Sequence, residues 1–240
     1  NAGNNRFENL YLAGNNNSTS STTFRALVYA ESNNNTDNNL FDNCYLSMGA
    51  YAFYWLDFGV STDNLEVLNC TMVNQNYRPV YVRGVNNLRF NGNHVYNNLT
   101  PVTTSYIGVY FISIDGGEML MNRIFSGVQT NAVQFSDVDG DAGGPFLVAN
   151  NFMQSAGSGS NLYYTMYMTG CNNLDFVYNS LSSYSNDPGS PVLDYRNNSF
   201  VNLRNNIFQH NMGGYAVYLS STFNSNLSSD HNNLFTTGTN

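Results

Sequence analysis

Apolar and polar positions alternate along this chain in short bursts, and the bursts recur. Residues 79–98, PVYVRGVNNLRFNGNHVYNN, hold three extended pieces at 80–85, 87–90 and 95–96. Each is rich in β-branched, aromatic or large apolar side chains and is bounded by Asn or Gly. None is long enough for a helix. The same phrase returns wherever an Asn is followed two positions later by an apolar residue: Asn9/Tyr11, Asn43/Tyr45, Asn93/Val95, Asn122/Ile124, Asn150/Phe152, Asn179/Leu181, Asn205/Ile207 and Asn232/Leu234, with Thr71 after Asn69 as the one polar exception. The interval averages about 28 residues, a repeat length that signals a solenoid.

Three short strands in a repeat of this length predict a parallel β-helix, each coil pairing with the coils above and below. The recurring Asn fits a tight corner, since Asn tolerates the left-handed backbone conformation better than other residues with a side chain. Its amide also carries a donor and an acceptor, so stacked copies can bond to one another along the axis. The predicted ladder is Asn43, Asn69, Asn93, Asn122, Asn150, Asn179, Asn205 and Asn232, with the residue two further on pointing into the core.

The runs GVYFISID then MLMNRIF, AVQFSDVDG then FLVANNFM, MYMTGCNN then LDFVYNSL, and PVYVRGVNN then LRFNGNHV resemble right-handed parallel β-helix repeats of the pectate-lyase-like superfamily. The resemblance covers almost the whole chain. It implies an all-β fold, a single right-handed parallel β-helix of about nine coils with three short strands each and an Asn ladder at one corner. It leaves function open, because that superfamily includes polysaccharide lyases, glycoside hydrolases, epimerases, tailspikes, adhesins and surface-layer proteins. The expectation is one β-helix domain over 1–240, part of a longer protein or a subunit that stacks end to end, because neither end of the sequence offers a capping helix.

Composition narrows the partners. Asn makes up about 18 % of the 240 residues, Lys is absent, and eight Arg face sixteen acids for a net charge of −8. Nucleic acid is excluded on that balance, because a phosphate backbone demands concentrated cations. The aromatic run at 50–60 is too short to span a bilayer and contains Asp57, so no membrane insertion is expected. A neutral glycan, or an acidic one bridged by calcium, suits the charge. The composition and fold type place the chain outside the cell or on its surface. Three cysteines give no disulfide framework. Cys44 and Cys70 follow corner Asn residues of successive coils, where a disulfide and a pair of free thiols both remain open, while Cys171 aligns with Val85 and Ile114 as a core filler.

The loops are polar and short. Extra length falls at 14–23, 32–39, 99–105, 156–160 and 183–190, with a separate insertion at 139–144.

Three groupings could carry chemistry. The first strand of each coil alternates, placing Val80, Val82, Val109, Phe111, Val133, Phe135, Met166, Met168, Val217 and Leu219 inward. Tyr81, Tyr110, Gln134, Tyr167, Leu193 and Tyr218 then face outward, with Arg83 and Tyr195 two positions further on. Stacked tyrosines suit sugar rings, and equally suit plain sheet stabilisation. The second grouping is SDVDGDAGG, where Asp115, Asp137, Asp139 and Asp141 with Glu118 suggest a calcium site or a glycosidase-like carboxylate pair. Ala142 and Val148 depart from a calcium-loop pattern, and a solvated acidic turn is the third reading. The histidines His94, His210 and His231 do not converge on any nucleophile. Asp194 falls at an inward position on this register unless a bulge turns it out.

Two functional expectations stand. One is a non-catalytic extracellular module of an adhesive or filament-forming surface protein, binding polysaccharide or neighbouring subunits of its own kind, with the Tyr column as glycan platform. The other is a polysaccharide lyase or glycoside hydrolase that uses the Asp cluster, with calcium as its cofactor.

Overall fold

The computed structural model describes residues 3–15, 25–31, 37–57, 62–98, 106–127, 131–157, 163–220 and 226–237. The expected insertion at 99–105 and most of those at 14–23, 32–39 and 156–160 lie outside these residues. Regular structure within them is β, and strands pair in parallel with the strands one coil above and below. No helix of the described residues is long and apolar enough to cross a membrane.

Each turn lays one strand on each of three faces. The first face carries Ala26–Glu31, Tyr51–Leu56, the leading halves of Val80–Asn91 and Ile107–Leu120, then Asn131–Asp139, Met166–Thr169, Leu193–Arg196 and Val217–Leu219. The second carries Asn39–Asp42, Leu65–Leu68, the trailing halves of the same two long strands, Phe146–Ala149, Asn172–Val177 and Ser199–Arg204. The third is a separate sheet of nine strands, from Tyr11–Ala13 to Asn233–Thr236.

In-register stacking puts like on like. Val82, Phe111, Phe135 and Met168 succeed one another along the axis with no solvent exposure, and Phe90, Met119, Val148 and Phe176 do the same on the second face. Cys171 is buried among them. Burial of this kind contributes about 1.5–3 kcal/mol for each large apolar side chain.

Nine copies of the repeat produce nine stacked strands on the third face, but the closed turns number about seven. The outermost strands, Arg6–Glu8, Ser228–Asp230 and Asn233–Thr236, leave every side chain exposed. They pair through backbone without enclosing a core, which counting by sequence could not distinguish.

The corner between the second and third faces holds two columns rather than one. The outer column adopts positive φ: Asn9, Asn43, Asn69, Gly92, Met121, Asn150, Tyr178, Asn205 and His231. The next residue of each coil turns inward, and there a buried ladder runs through Asn93, Asn122, Asn151, Asn179 and Asn206 and ends at the half-buried Asn232. Each backbone N–H donates to the side-chain oxygen of the next Asn at 2.8–3.0 Å. The side-chain nitrogens donate to the preceding coil's backbone, as from Asn151 to Met119 O at 2.8 Å. Of the predicted ladder, Asn93, Asn122, Asn179 and Asn232 stand in this inward column. Asn43, Asn69, Asn150 and Asn205 stand one position earlier, in the left-handed column. The spacing rule selected the first Asn of Asn150–Asn151 and Asn205–Asn206, and a one-residue shift exchanges inside for outside. Hence Tyr11, Tyr45, Phe152 and Ile207, expected in the core, are exposed.

Cys44 and Cys70 continue the inward column. Both are free and buried. The Cys44 N–H points at Cys70 Sγ at 3.4 Å, and the Cys70 N–H donates to Asn93 Oδ1 at 2.9 Å.

Candidate functional site

The first face presents an outward column in register: Tyr29, Tyr54, Tyr81, Tyr110, Gln134, Tyr167, Asp194 and Tyr218. The rings of Tyr29, Tyr54 and Tyr81 are stacked, 5.4 and 5.2 Å apart, and Tyr110 meets Tyr81 edge-on at 5.6 Å. Strand spacing imposes these separations, because side chains at equivalent positions of adjacent strands sit about 5 Å apart.

A second tyrosine sits beside the column in several coils. Tyr51 packs on Tyr54, Tyr164 on Tyr167 and Tyr215 on Tyr218, with centroids 5.0, 5.5 and 6.0 Å apart, and Tyr77 meets Tyr51 at 5.5 Å. The sequence carries this as a Tyr three or four positions before an outward Tyr, a signal that reading one column at a time passes over.

Two arginines lie on the rings. The Arg78 guanidinium is 4.7, 5.7 and 5.2 Å from the ring centres of Tyr77, Tyr81 and Tyr110. The Arg196 guanidinium lies 5.5 Å from Tyr167 and 5.9 Å from Tyr218 while donating two bonds of 2.7 Å to the Asp194 carboxylate. Those bonds raise the pKa of Arg196 further, against the opposing effect of burial. Burial also raises the hydroxyls of Tyr51, Tyr54 and Tyr164, so these phenols stay protonated. Arg83 is on the same face, in the column of Arg196, two positions after Tyr81.

Tyr195 is not part of this surface. It opposes Met168 and Leu219 in an inward column and is fully buried, its hydroxyl without a partner among the described residues. Leu193 likewise faces in, and Asp194 faces out beneath Arg196. The register is one residue off the sequence expectation. An inward Asp194 would bury a carboxylate among apolar side chains, far costlier than one unsatisfied tyrosine hydroxyl. Val217 and Leu219, expected in the core, are partly and largely exposed.

The acidic residues divide. Asp115 and Asp139 are direct neighbours in register at the corner between the first and second faces. Asp139 accepts from the Asn172 N–H at 2.7 Å, and burial, then Asp137 and Asp115, raise its carboxyl above the ordinary range. Asp137 is in the left-handed column of that corner. Asp141 turns away, its Oδ1 accepting from the Gly143 N–H at 2.7 Å and its carboxylate over Gly116. Among the described residues no three His, Cys, Asp or Glu converge to hold a metal ion. The four carboxylates proposed from sequence therefore do not form one cage.

The histidines are equally separate. His94 meets Tyr96 at a tilt with ring centres 4.7 Å apart, His210 is buried, and His231 pairs with Asp230 at 2.8 Å on the surface.

No family model matches the chain, and no curated protein matches it. Among solved structures it is similar to a double mutant of the periplasmic alginate epimerase AlgG, at 11 % identity and a TM-score of 0.59, over 82 % of this chain and 51 % of that one. The receptor-binding domain of the Siphovirus 9NA tailspike aligns over 85 % of this chain and 51 % of that one, at 11 % identity and a TM-score of 0.26. The chain thus spans about half the length of either. Likeness at this identity speaks for fold alone, and together with the stacked parallel strands it establishes a parallel β-helix.

Proposed function

We propose that the chain is a polysaccharide-binding β-helix module of an extracellular or cell-surface protein, and that the tyrosine face holds the glycan. The observation that carries this reading is the doubled tyrosine column with Arg78 and Arg196 resting on its rings. Aromatic faces take the C–H faces of pyranose rings, and the phenol and guanidinium edges bond hydroxyls. Coil spacing is close to the length of one sugar unit, so a linear chain laid along the axis meets equivalent side chains at each step. Subunits of the same kind would extend that track. Replacing Tyr110 and Tyr167 together with Ala should abolish retention on immobilised polysaccharide while leaving the circular dichroism spectrum intact. Unchanged retention sinks the reading.

A catalytic reading keeps one supporting observation, the raised carboxyl of Asp139 beside Asp115. A carboxyl whose pKa is raised by burial moves in the direction a general acid requires. Under this reading Asp139→Asn removes turnover of a polysaccharide, measured by new reducing ends or unsaturated products, with and without calcium. Absence of either product across neutral and uronate polymers removes it.

A further inference from the structure

A groove of about 390 Å³ opens on the second face, around the corner from the tyrosines, lined by Asn87, Arg89, Glu118, Asp141 and Pro145 with Gly117, Gly143 and Gly144. One wall is built by the turn at 139–144. The turn closes on itself through the Gly144 N–H to Asp141 O bond at 3.2 Å and the Gly143 N–H to Asp141 Oδ1 bond at 2.7 Å. It leans on the β-helix at Gly116, where an added Cβ would lie 2.5 Å from Asp141 Oδ2, so the absent side chain there makes room for the carboxylate. Across the groove, Arg89 donates to Glu66 at 2.7 Å and to Glu118 at 3.1 Å, and Asn91 donates to the same Glu118 oxygen at 2.7 Å.

These bonds leave a defined set of groups unused. Glu118 Oε2, Asp141 Oδ2 and Arg89 Nη2 have no partner among the described residues, and each belongs to a side chain whose other atoms are held by bonds or ion pairs. Two fixed carboxylate oxygens and one guanidinium edge match the hydroxyls of a sugar, two donating and one accepting, with charge-assisted bonds. The charges decide between ligand classes. Glu66, Glu118 and Asp141 against Arg89 leave the groove net negative, which opposes a uronate. Arg89 on the lining opposes a bare divalent cation, and among the described residues no three ligating side chains converge.

The geometry points to a second carbohydrate subsite here, for a neutral sugar unit held through its hydroxyls by Glu118, Asp141 and Arg89. It is separate from the tyrosine face and does not depend on it.

The test is a backbone-amide NMR titration of the full chain with cellotetraose, xylotetraose, mannotetraose, tetragalacturonate and, separately, calcium chloride. Expected are shifts at Arg89, Gly117, Glu118 and 141–144 with at least one neutral tetrasaccharide. They should persist in the Tyr110→Ala/Tyr167→Ala variant and weaken about tenfold or more in Asp141→Asn, which keeps the Oδ1 acceptor of the turn. Glu118→Gln should weaken binding similarly, and a native thermal midpoint for either variant separates lost binding from lost fold. The inference is overturned if no neutral sugar shifts these amides, if only calcium or tetragalacturonate does, or if neither substitution affects binding.

Discussion

Replacing Asn151 with Ala tests the account of the corner most directly. The Asn151 side chain is buried and makes four hydrogen bonds: from Nδ2 to Met119 O at 2.8 Å and to Asn179 Oδ1 at 2.9 Å, and at Oδ1 from the Asn122 N–H at 2.9 Å and Asn122 Nδ2 at 2.8 Å. Truncation removes the side-chain donor from the Met119 carbonyl and leaves the Asn122 N–H without its acceptor. A buried bond contributes about 1 kcal/mol net, and each stranded buried group costs about 1–3 kcal/mol. Four lost bonds therefore predict a loss of roughly 4 kcal/mol. The adjacent Asn150 is exposed at φ 58° and lends no side chain to the ladder. Asn150→Ala should cost only the left-handed penalty, about 1 kcal/mol, and Asn150→Gly should cost less still. Equilibrium urea unfolding of the three variants gives the comparison. A loss below about 1 kcal/mol for Asn151→Ala, or a larger loss at Asn150 than at Asn151, refutes the division into two columns.

Other consequences follow from buried titratable groups. His210 accepts at Nδ1 from the N–H groups of Met212 at 3.2 Å and Gly214 at 2.9 Å, its Nε2 lies 2.9 Å from Ser190 O, and burial lowers its pKa. Its folded pKa lies below the unfolded value of about 6.5, so the unfolded chain binds the extra proton first. The stability it contributes is complete above about pH 6.5 and is lost as pH falls towards the folded value. His94 acts in the same direction, so unfolding free energies between pH 4.5 and 7.5 should fall less steeply with acid in His210→Gln, and identical profiles contradict the assignment. Burial pushes the Cys70 and Cys171 thiols up to about 12, and Cys44 is buried beside Cys70. A thiol-reactive chromophore should therefore label none of the three cysteines in the native chain and all of them in denaturant. Labelling of Cys171 alone after denaturation would instead reveal a Cys44–Cys70 disulfide.

The repeat, the parallel stacking and the inward apolar columns of the first face were legible because a solenoid writes its geometry locally. Each coil meets only its neighbours, so Val82, Phe111, Phe135 and Met168 recur at the interval that stacks them. The tyrosine column at Tyr81, Tyr110, Tyr167 and Tyr218 was legible for the same reason. Phase was not. Where the sequence offers Asn150–Asn151 or the run Leu193–Asp194–Tyr195, either phase satisfies the alternation, and the choice falls to side-chain pairing that alternation does not encode: the Asn179 amide one coil away, or Arg196 two residues on to neutralise Asp194.

Sequence by itself determined that this chain folds as a β-helix, because period and alternation are properties of neighbouring residues. Only the tertiary structure decided which residues line its surfaces. Arg78 reaches rings from its own coil and the next, and Asp141 faces Arg89 and Glu118, from successive coils, across a groove. Such meetings depend on side-chain reach and on the path of inserted turns, which no repeat length encodes.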